Sequence, residues 1–176
     1  MSTHKIAFPP IVGDRPKTLI LGSMPGEASL RRQQYYGHPS NAFWPIMAGL
    51  LGIAPNADYA ERTAALVAAG IALWDVMAEC ERRGSLDTAI RPASIRVNDF
   101  QAFFDTHTDI DLVAFNGGTA EREYHRRVQP GLSPAAQTIA TCRLPSTSPA
   151  YAGMSLADKA RAWHAILAGR FASSAS

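Results

Sequence analysis

Three short stretches of this chain bring together side chains suited to gripping or breaking a flat, polar substrate. The densest is residues 35–44 (YYGHPSNAFW), with two tyrosines, a glycine, a His-Pro pair and an asparagine ahead of an apolar run. A loop tyrosine such as Tyr36 can stack on a flat ring, worth ~1–3 kcal/mol. The carboxamide of Asn41 can fix a water through its carbonyl oxygen, or cap the helix that follows. His38, before Pro39, suits either a structural hydrogen bond or a catalytic role. Phe43 and Trp44 fit core packing of that helix better than ligand contact. The second stretch is residues 22–26 (GSMPG), where Gly22, Pro25 and Gly26 make a tight turn with Ser23 and Met24 inside it. It is neither a dinucleotide fingerprint nor a phosphate loop, because GxGxxG and a following Gly-Lys-Ser/Thr are both missing. The third is residues 144–151 (LPSTSPAY), where Ser146, Thr147 and Ser148 stand between prolines and Tyr151 follows. Such a loop offers donors to phosphate oxygens and can press into a groove; alone it reads as an ordinary surface loop. A serine hydrolase is a distant alternative, since no GxSxG elbow exists and Ser23 has no evident base.

These stretches need elements to hold them. Residues 17–21 (KTLIL) form an apolar run ending at Gly22, the mark of a buried strand. Residues 42–51 carry helical spacing with Pro45 in the first turn, and 58–69 make an alanine-rich helix closed by Gly70. Residues 71–76 (IALWDV) and 112–115 (LVAF) read as further strands, the latter broken by Asn116-Gly117-Gly118. Asn98 and Gln101 match a capping box for a short helix through Phe104. A helix over 119–128, a fourth strand over 137–143, and a last helix capped by Ser155 and Asp158 and ending near Gly169 complete the pattern. Strands separated by helices predict an α/β fold of three layers, α/β/α, around a mainly parallel four-stranded sheet. Ligands of such sheets lie beyond the carboxyl ends of the strands. Every unusual stretch follows a strand end: 22–26, Asp75, 116–118 and 144–151. They should converge.

The bulk composition narrows the class. At 176 residues, 47% hydrophobic and 18% charged, the chain suits one globular domain over residues 1–171, with a disordered Ser/Ala tail at 172–176. The N-terminus lacks the apolar core of a secretory signal, and no apolar run approaches the ~20 residues of a membrane span. A cytoplasmic protein, most simply a monomer, is expected. Two cysteines, Cys80 and Cys142, are too few for a four-cysteine iron–sulfur or zinc site and are expected as free thiols. The net charge of +2 is small. Its distribution says more: no acid lies between Glu27 and Asp58, where Arg31 and Arg32 do. None lies between Glu123 and Asp158, where Arg126, Arg127 and Arg143 do. Such stretches can track phosphates or simply sit on solvated helix faces.

Taken in order, GSMPG, GHPSNAFW, GIALWD, AFNGGTA and LPSTSPAY resemble the uracil-DNA glycosylase superfamily over nearly the whole chain, and most closely its hypoxanthine (deoxyinosine) DNA glycosylase branch. The resemblance implies a DNA-repair enzyme. It would flip a deaminated base out of the helix and hydrolyse its N-glycosidic bond, leaving an abasic site and using no metal or cofactor. The superfamily usually places an Asp or Asn two residues after the first glycine of the turn; here that residue is Met24. The hypoxanthine branch shares this absence, and its catalytic asparagine corresponds to Asn41. A carboxamide is no strong base, but it can orient water toward an oxocarbenium-like sugar. Backbone amides around Ser23 and Met24 are then candidates to stabilise the departing base.

By the same resemblance Asp75 reads the Watson–Crick edge, Tyr36 stacks on the base, and Gly26 stands where uracil-specific relatives carry a bulky tyrosine. Hypoxanthine presents a proton on N1 to a carboxylate at Asp75, whereas adenine presents a lone pair. The other reading of Asp75 is a cap on a following helical segment. Ser146 replaces a histidine found in some relatives, so no histidine meets the leaving base there. The wedge position aligns with Ala150, too small for that role, which passes it to Tyr151. Lys5, Lys17 and Lys159 match no Schiff-base position, so strand cleavage is not expected. Two alternatives remain: a glycosylase for uracil or mismatched thymine, against which Met24 argues, and a non-catalytic DNA-binding module on the same scaffold.

Overall fold

The computed structural model describes residues 2–171, and the tail expected to be disordered at 172–176 lies outside the described residues. In chain order the elements are β1 (His4–Ile6), β2 (Thr18–Gly22), α1 (Glu27–Arg32), α2 (Phe43–Leu51), α3 (Tyr59–Ala68), β3 (Ile71–Asp75), β4 (Met77–Glu81), β5 (Arg96–Val97), α4 (Phe100–Thr106), β6 (Leu112–Asn116), α5 (Gly118–Glu123), α6 (Pro134–Gln137), β7 (Ala140–Leu144) and α7 (Leu156–Leu167). Four strands form a parallel sheet in the order β3-β2-β6-β7.

The apolar runs of β2, β3 and β6 carry no polar alternation because both faces of this sheet are covered. Leu19, Leu21, Ala72, Trp74, Val113 and Phe115 point to one side and pack on Phe100, Phe103, Phe104 and Tyr124. Ile20, Ile71, Leu73, Leu112 and Ala114 point to the other and meet Phe43, Trp44, Met47, Leu66, Trp163 and Leu167. The period-two alternation of a strand thus builds two cores from one sequence run. Phe43 and Trp44 are core residues, as their helical spacing predicts.

Helix starts follow local chemistry. Asp58 and Glu61 close a capping box on α3, and the Ser155 hydroxyl accepts from the Asp158 amide at the start of α7. Three local expectations need correction. The cap of α4 is Asp99, which accepts from the Ala102 amide, not Asn98 with Gln101. Asn98 instead donates to the Asp75 carbonyl, and the Gln101 carboxamide oxygen takes the Ser133 amide. The helix over 119–128 is α-helical only to Glu123 and widens into a π turn through Val128. The fourth strand begins at Ala140, because Ser133 and Pro134 start a short helix that absorbs Gln137.

One feature was not anticipated at all. β1, β4 and β5 make a second, antiparallel sheet in the order β1-β4-β5. Its apolar side closes a small core of Met24, Met77, Cys80, Ile90 and Ile95. Both cysteines are free.

Candidate active site

The strand register brings the unusual residues to one end of the parallel sheet. Gly22 pairs with Asp75, and Asn116 pairs with Leu144, each at a carboxyl end. Beyond them opens a cavity of about 750 Å³. Gly22, Ser23, Met24, Pro25, Gly26, Tyr36, His38, Asn41, Asp75, Ser146, Thr147, Ser148 and Tyr151 all line it, so every candidate site residue reaches one space.

Asn41 sits just ahead of α2, and its Oδ1 accepts from the Phe43 amide at 2.9 Å. The two roles open to this side chain are compatible. The cap fixes the carbonyl oxygen, and that oxygen keeps a second lone pair for a water. The Asn41 backbone is pinned too, donating to His38 O at 3.0 Å. His38 uses Nδ1 to accept from the Ser40 amide at 3.1 Å, bracing this loop, while the residue also lines the cavity.

Asp75 is buried, and its Oδ2 has no hydrogen-bond partner. Burial pushes its carboxyl up to about 7; the negative charge of Asp87 adds to this and Arg82 opposes it. Asp75 caps no helix, since β4 follows it directly. Gly22 is dictated by the same crowding. A Cβ there would lie 2.5 Å from Asp75 Oδ1 and 3.0 Å from the Tyr36 hydroxyl. Tyr36 has a left-handed backbone (φ 53°) and stacks one ring face on Phe43 at 4.1 Å. Its hydroxyl is buried near Asp75 and Asn116; burial, then the Asp75 charge, raises its pKa, and Asn116 opposes this.

The turn contributes backbone rather than side chains. No described acceptor takes the Ser23 or Met24 amide, and both residues line the cavity. The Met24 side chain is buried in the small core beneath the second sheet. Beside Gly26 the space is partly filled: a Cβ there would meet Ser85 Oγ at 3.4 Å. Gly26 itself lines the cavity, and Ser85 borders the room left by its missing side chain.

The 144–151 loop is clamped to β6. Asn116 Nδ2 donates to Thr147 Oγ1, and Asn116 Oδ1 accepts from the Thr147 amide, both at 2.9 Å. The Thr147 carbonyl accepts from Ala42 at 3.0 Å, tying this loop to the Asn41 loop. Thr147 is buried, so it holds the loop rather than facing outward as a donor. Ser146 and Ser148 accept from the Ser148 and Ala150 amides and keep their hydroxyl protons for other acceptors. Gly117 permits the close approach with φ 94°; a Cβ there would meet Ser146 Cβ at 3.0 Å. Tyr151 lies under the ammonium of Lys159, 5.3 Å from the ring centre, and that lysine donates to Ser148 O.

Sequence reasoning missed the wall formed by residues 82–88. Arg82 is almost fully buried and donates to the Gly84 and Pro25 carbonyls. Asp87 lines the cavity and accepts both ways from Ser23 Oγ at 2.9 Å. In sequence this is a polar run, RRGSLD, indistinguishable from an ordinary turn. Of the arginines in the two acid-free stretches, Arg143 borders the cavity, joined there by Arg122; Arg32 instead donates to the Gly37 carbonyl. No group of three or more metal-binding side chains occurs among the described residues. No described helix is long and apolar enough to cross a membrane.

Comparison with known proteins identifies relatives of this chain. A sequence model of the uracil DNA glycosylase superfamily matches residues 9–167. A hypoxanthine DNA glycosylase of Methanosarcina barkeri (strain Fusaro / DSM 804) is 40% identical over 114 residues, 64% of this chain and 71% of the relative. One from Methanosarcina acetivorans is 36% identical over 117 residues, 66% of this chain and 73% of the relative. A solution NMR structure of a Methanosarcina acetivorans protein assigned to the uracil DNA glycosylases superposes with a TM-score of 0.78 at 31% identity. The match spans 94% of this chain and 98% of that one.

Proposed function

The chain belongs to the uracil DNA glycosylase superfamily, and from that premise we propose that it excises hypoxanthine from deoxyinosine in DNA and leaves an abasic site. The observation that carries this reading is the meeting of Asn41, Asp75 and the GSMPG turn in one cavity large enough for a purine. That the two Methanosarcina relatives are hypoxanthine DNA glycosylases supports the choice of base.

In this mechanism the C1′–N9 bond breaks ahead of attack, and its electron pair leaves with the base. The free Ser23 and Met24 amides offer hydrogen bonds to the charge growing on that base. Water held by Asn41 Oδ1 then adds to C1′ and loses its proton to solvent, giving the hemiacetal of the abasic sugar. The ring of Tyr36, stacked on Phe43 and lining the cavity, supports the base. Ionised Asp75 accepts from N1–H of hypoxanthine. Adenine would set a lone pair against it, and an unpaired desolvated polar pair costs a few kcal/mol.

Purified protein incubated with an inosine-containing duplex and then treated with alkali should cut the strand at the inosine. Duplexes with uracil, xanthine or a G/T mismatch, run in parallel, define the base range. Asn41→Ala should lower single-turnover excision on the order of 10²-fold while duplex binding persists. No alkali-labile site from wild type would reduce the protein to a DNA-binding module.

A further inference from the structure

Of the large apolar side chains exposed among the described residues, two stand at the mouth of the cavity: Leu86, 56% exposed, and Tyr151, 45% exposed. They stand on separate loops. Tyr151 follows β7 at one edge of the parallel sheet, and Leu86 follows β4, which continues from β3 at the other edge. An exposed leucine is ordinary on a protein surface. The way this one is held is not.

Both neighbours of Leu86 are tied to the turn below. Ser85 Oγ accepts from the Glu27 amide at 2.9 Å, and Asp87 accepts from Ser23 Oγ. The guanidinium of Arg82 lies underneath, donating to Gly84 O and Pro25 O, with a third nitrogen 3.9 Å from Asp87 Oδ1. An Arg82–Ile90 backbone bridge closes the base of the loop. Desolvating a guanidinium is a costly way to order a surface loop. Its consequence here is a loop whose flanking residues are held while Leu86 stays exposed. An apolar side chain propped beside a polar cleft suits insertion between stacked bases, which unstacks them and opens the helix.

We infer that Leu86 is a wedge on a loop separate from residues 144–151, entering the duplex and helping to expel the target nucleotide. This rests on the glycosylase reading above. Because the side chain touches DNA rather than the reacting atoms, its loss acts on base extrusion and spares chemistry on a base already free.

The test compares wild type, Leu86→Ala and Leu86→Met under single turnover on two oligonucleotides, one with inosine paired to cytosine and one with inosine unpaired in a bubble. Leu86→Ala should slow excision from the paired duplex roughly ten- to a hundredfold and stay within about threefold of wild type on the bubble. Leu86→Met should stay near wild type on both, and thermal midpoints should be unchanged because the side chain is exposed. In an Asn41→Ala background, 2-aminopurine beside the inosine should brighten less on binding when Leu86 is also alanine. That signal decides the matter if wild type ignores the bubble. Equal losses on both substrates, or none on the paired duplex together with unchanged fluorescence, would overturn the wedge. Wild type that releases hypoxanthine from neither substrate defeats the glycosylase reading itself, and the wedge with it.

Discussion

The two ends of the parallel sheet's strands obey different rules. Along β2, β3 and β6 nearly every side chain is apolar and buried, and each touches a ring or a branched chain from a neighbouring helix. At the carboxyl ends, within a residue or two, the same sheet holds a buried carboxylate, Asp75, and around it stand the buried hydroxyl of Tyr36 and the buried guanidinium of Arg82. Burying polar groups lowers stability where their hydrogen bonds are incomplete, and burial raises the Asp75 carboxyl to about 7. Shifted groups gathered beside one cavity are the pattern expected of a functional site.

Substitutions in the two regions should therefore move stability in opposite directions. The largest effect is expected in the core. Phe115→Ala removes a fully buried ring from between β2 and Tyr124 and should cost about 3–5 kcal/mol in denaturant unfolding. A cost below 1 kcal/mol would mean the two regions do not differ as described.

Asp75→Asn should do the reverse. The carboxyl is raised from 3.8 to about 7 by burial first and by Asp87 second. The folded state thus resists ionisation that the unfolded chain accepts freely. Stability conferred by the neutral form is complete below about pH 4 and is lost as pH climbs through 7. The asparagine variant should consequently be more stable than wild type by roughly 2–4 kcal/mol at pH 8 and equal to it at pH 4. Its preference for inosine over adenine should shrink as well. Thermal midpoints at the two pH values and a two-substrate excision assay check both halves, and a variant less stable than wild type at pH 8 would break the contrast.

Asn116→Ala sharpens the boundary between core and site. It removes both hydrogen bonds to Thr147 and strands the buried Thr147 amide, a loss of about 1–3 kcal/mol. Because Thr147 O also holds Ala42, excision should slow even at saturating DNA. Ser155→Ala is the smallest change. Losing the cap of α7 should cost ~1 kcal/mol and leave excision untouched, since Ser155 does not border the cavity.

Much of this was legible before any fold was known. The runs KTLIL, IALWD and LVAF announce strands buried on both faces. The breaks that follow them, GSMPG, Asp75 and Asn116-Gly117-Gly118, mark where a ligand crevice lies in such a sheet. Asn98 misled because a capping box is judged by spacing alone, while its side chain found a better acceptor in the Asp75 carbonyl, 23 residues earlier. Gln101 was drawn away in the same manner by the Ser133 amide.

By itself the sequence determined the strands of the parallel sheet, though not the start of the last one or the second sheet, together with their convergence on one end and the chemistry available there, because hydrophobic periodicity and turn composition are local properties. Tertiary structure alone decided that Arg82 is buried, that Asp87 faces Ser23, that Ser85 stands beside Gly26, and that Leu86 is exposed at the cavity mouth. A polar side chain's partner and its degree of desolvation are set by elements distant along the chain, and no pattern within RRGSLD carries that information.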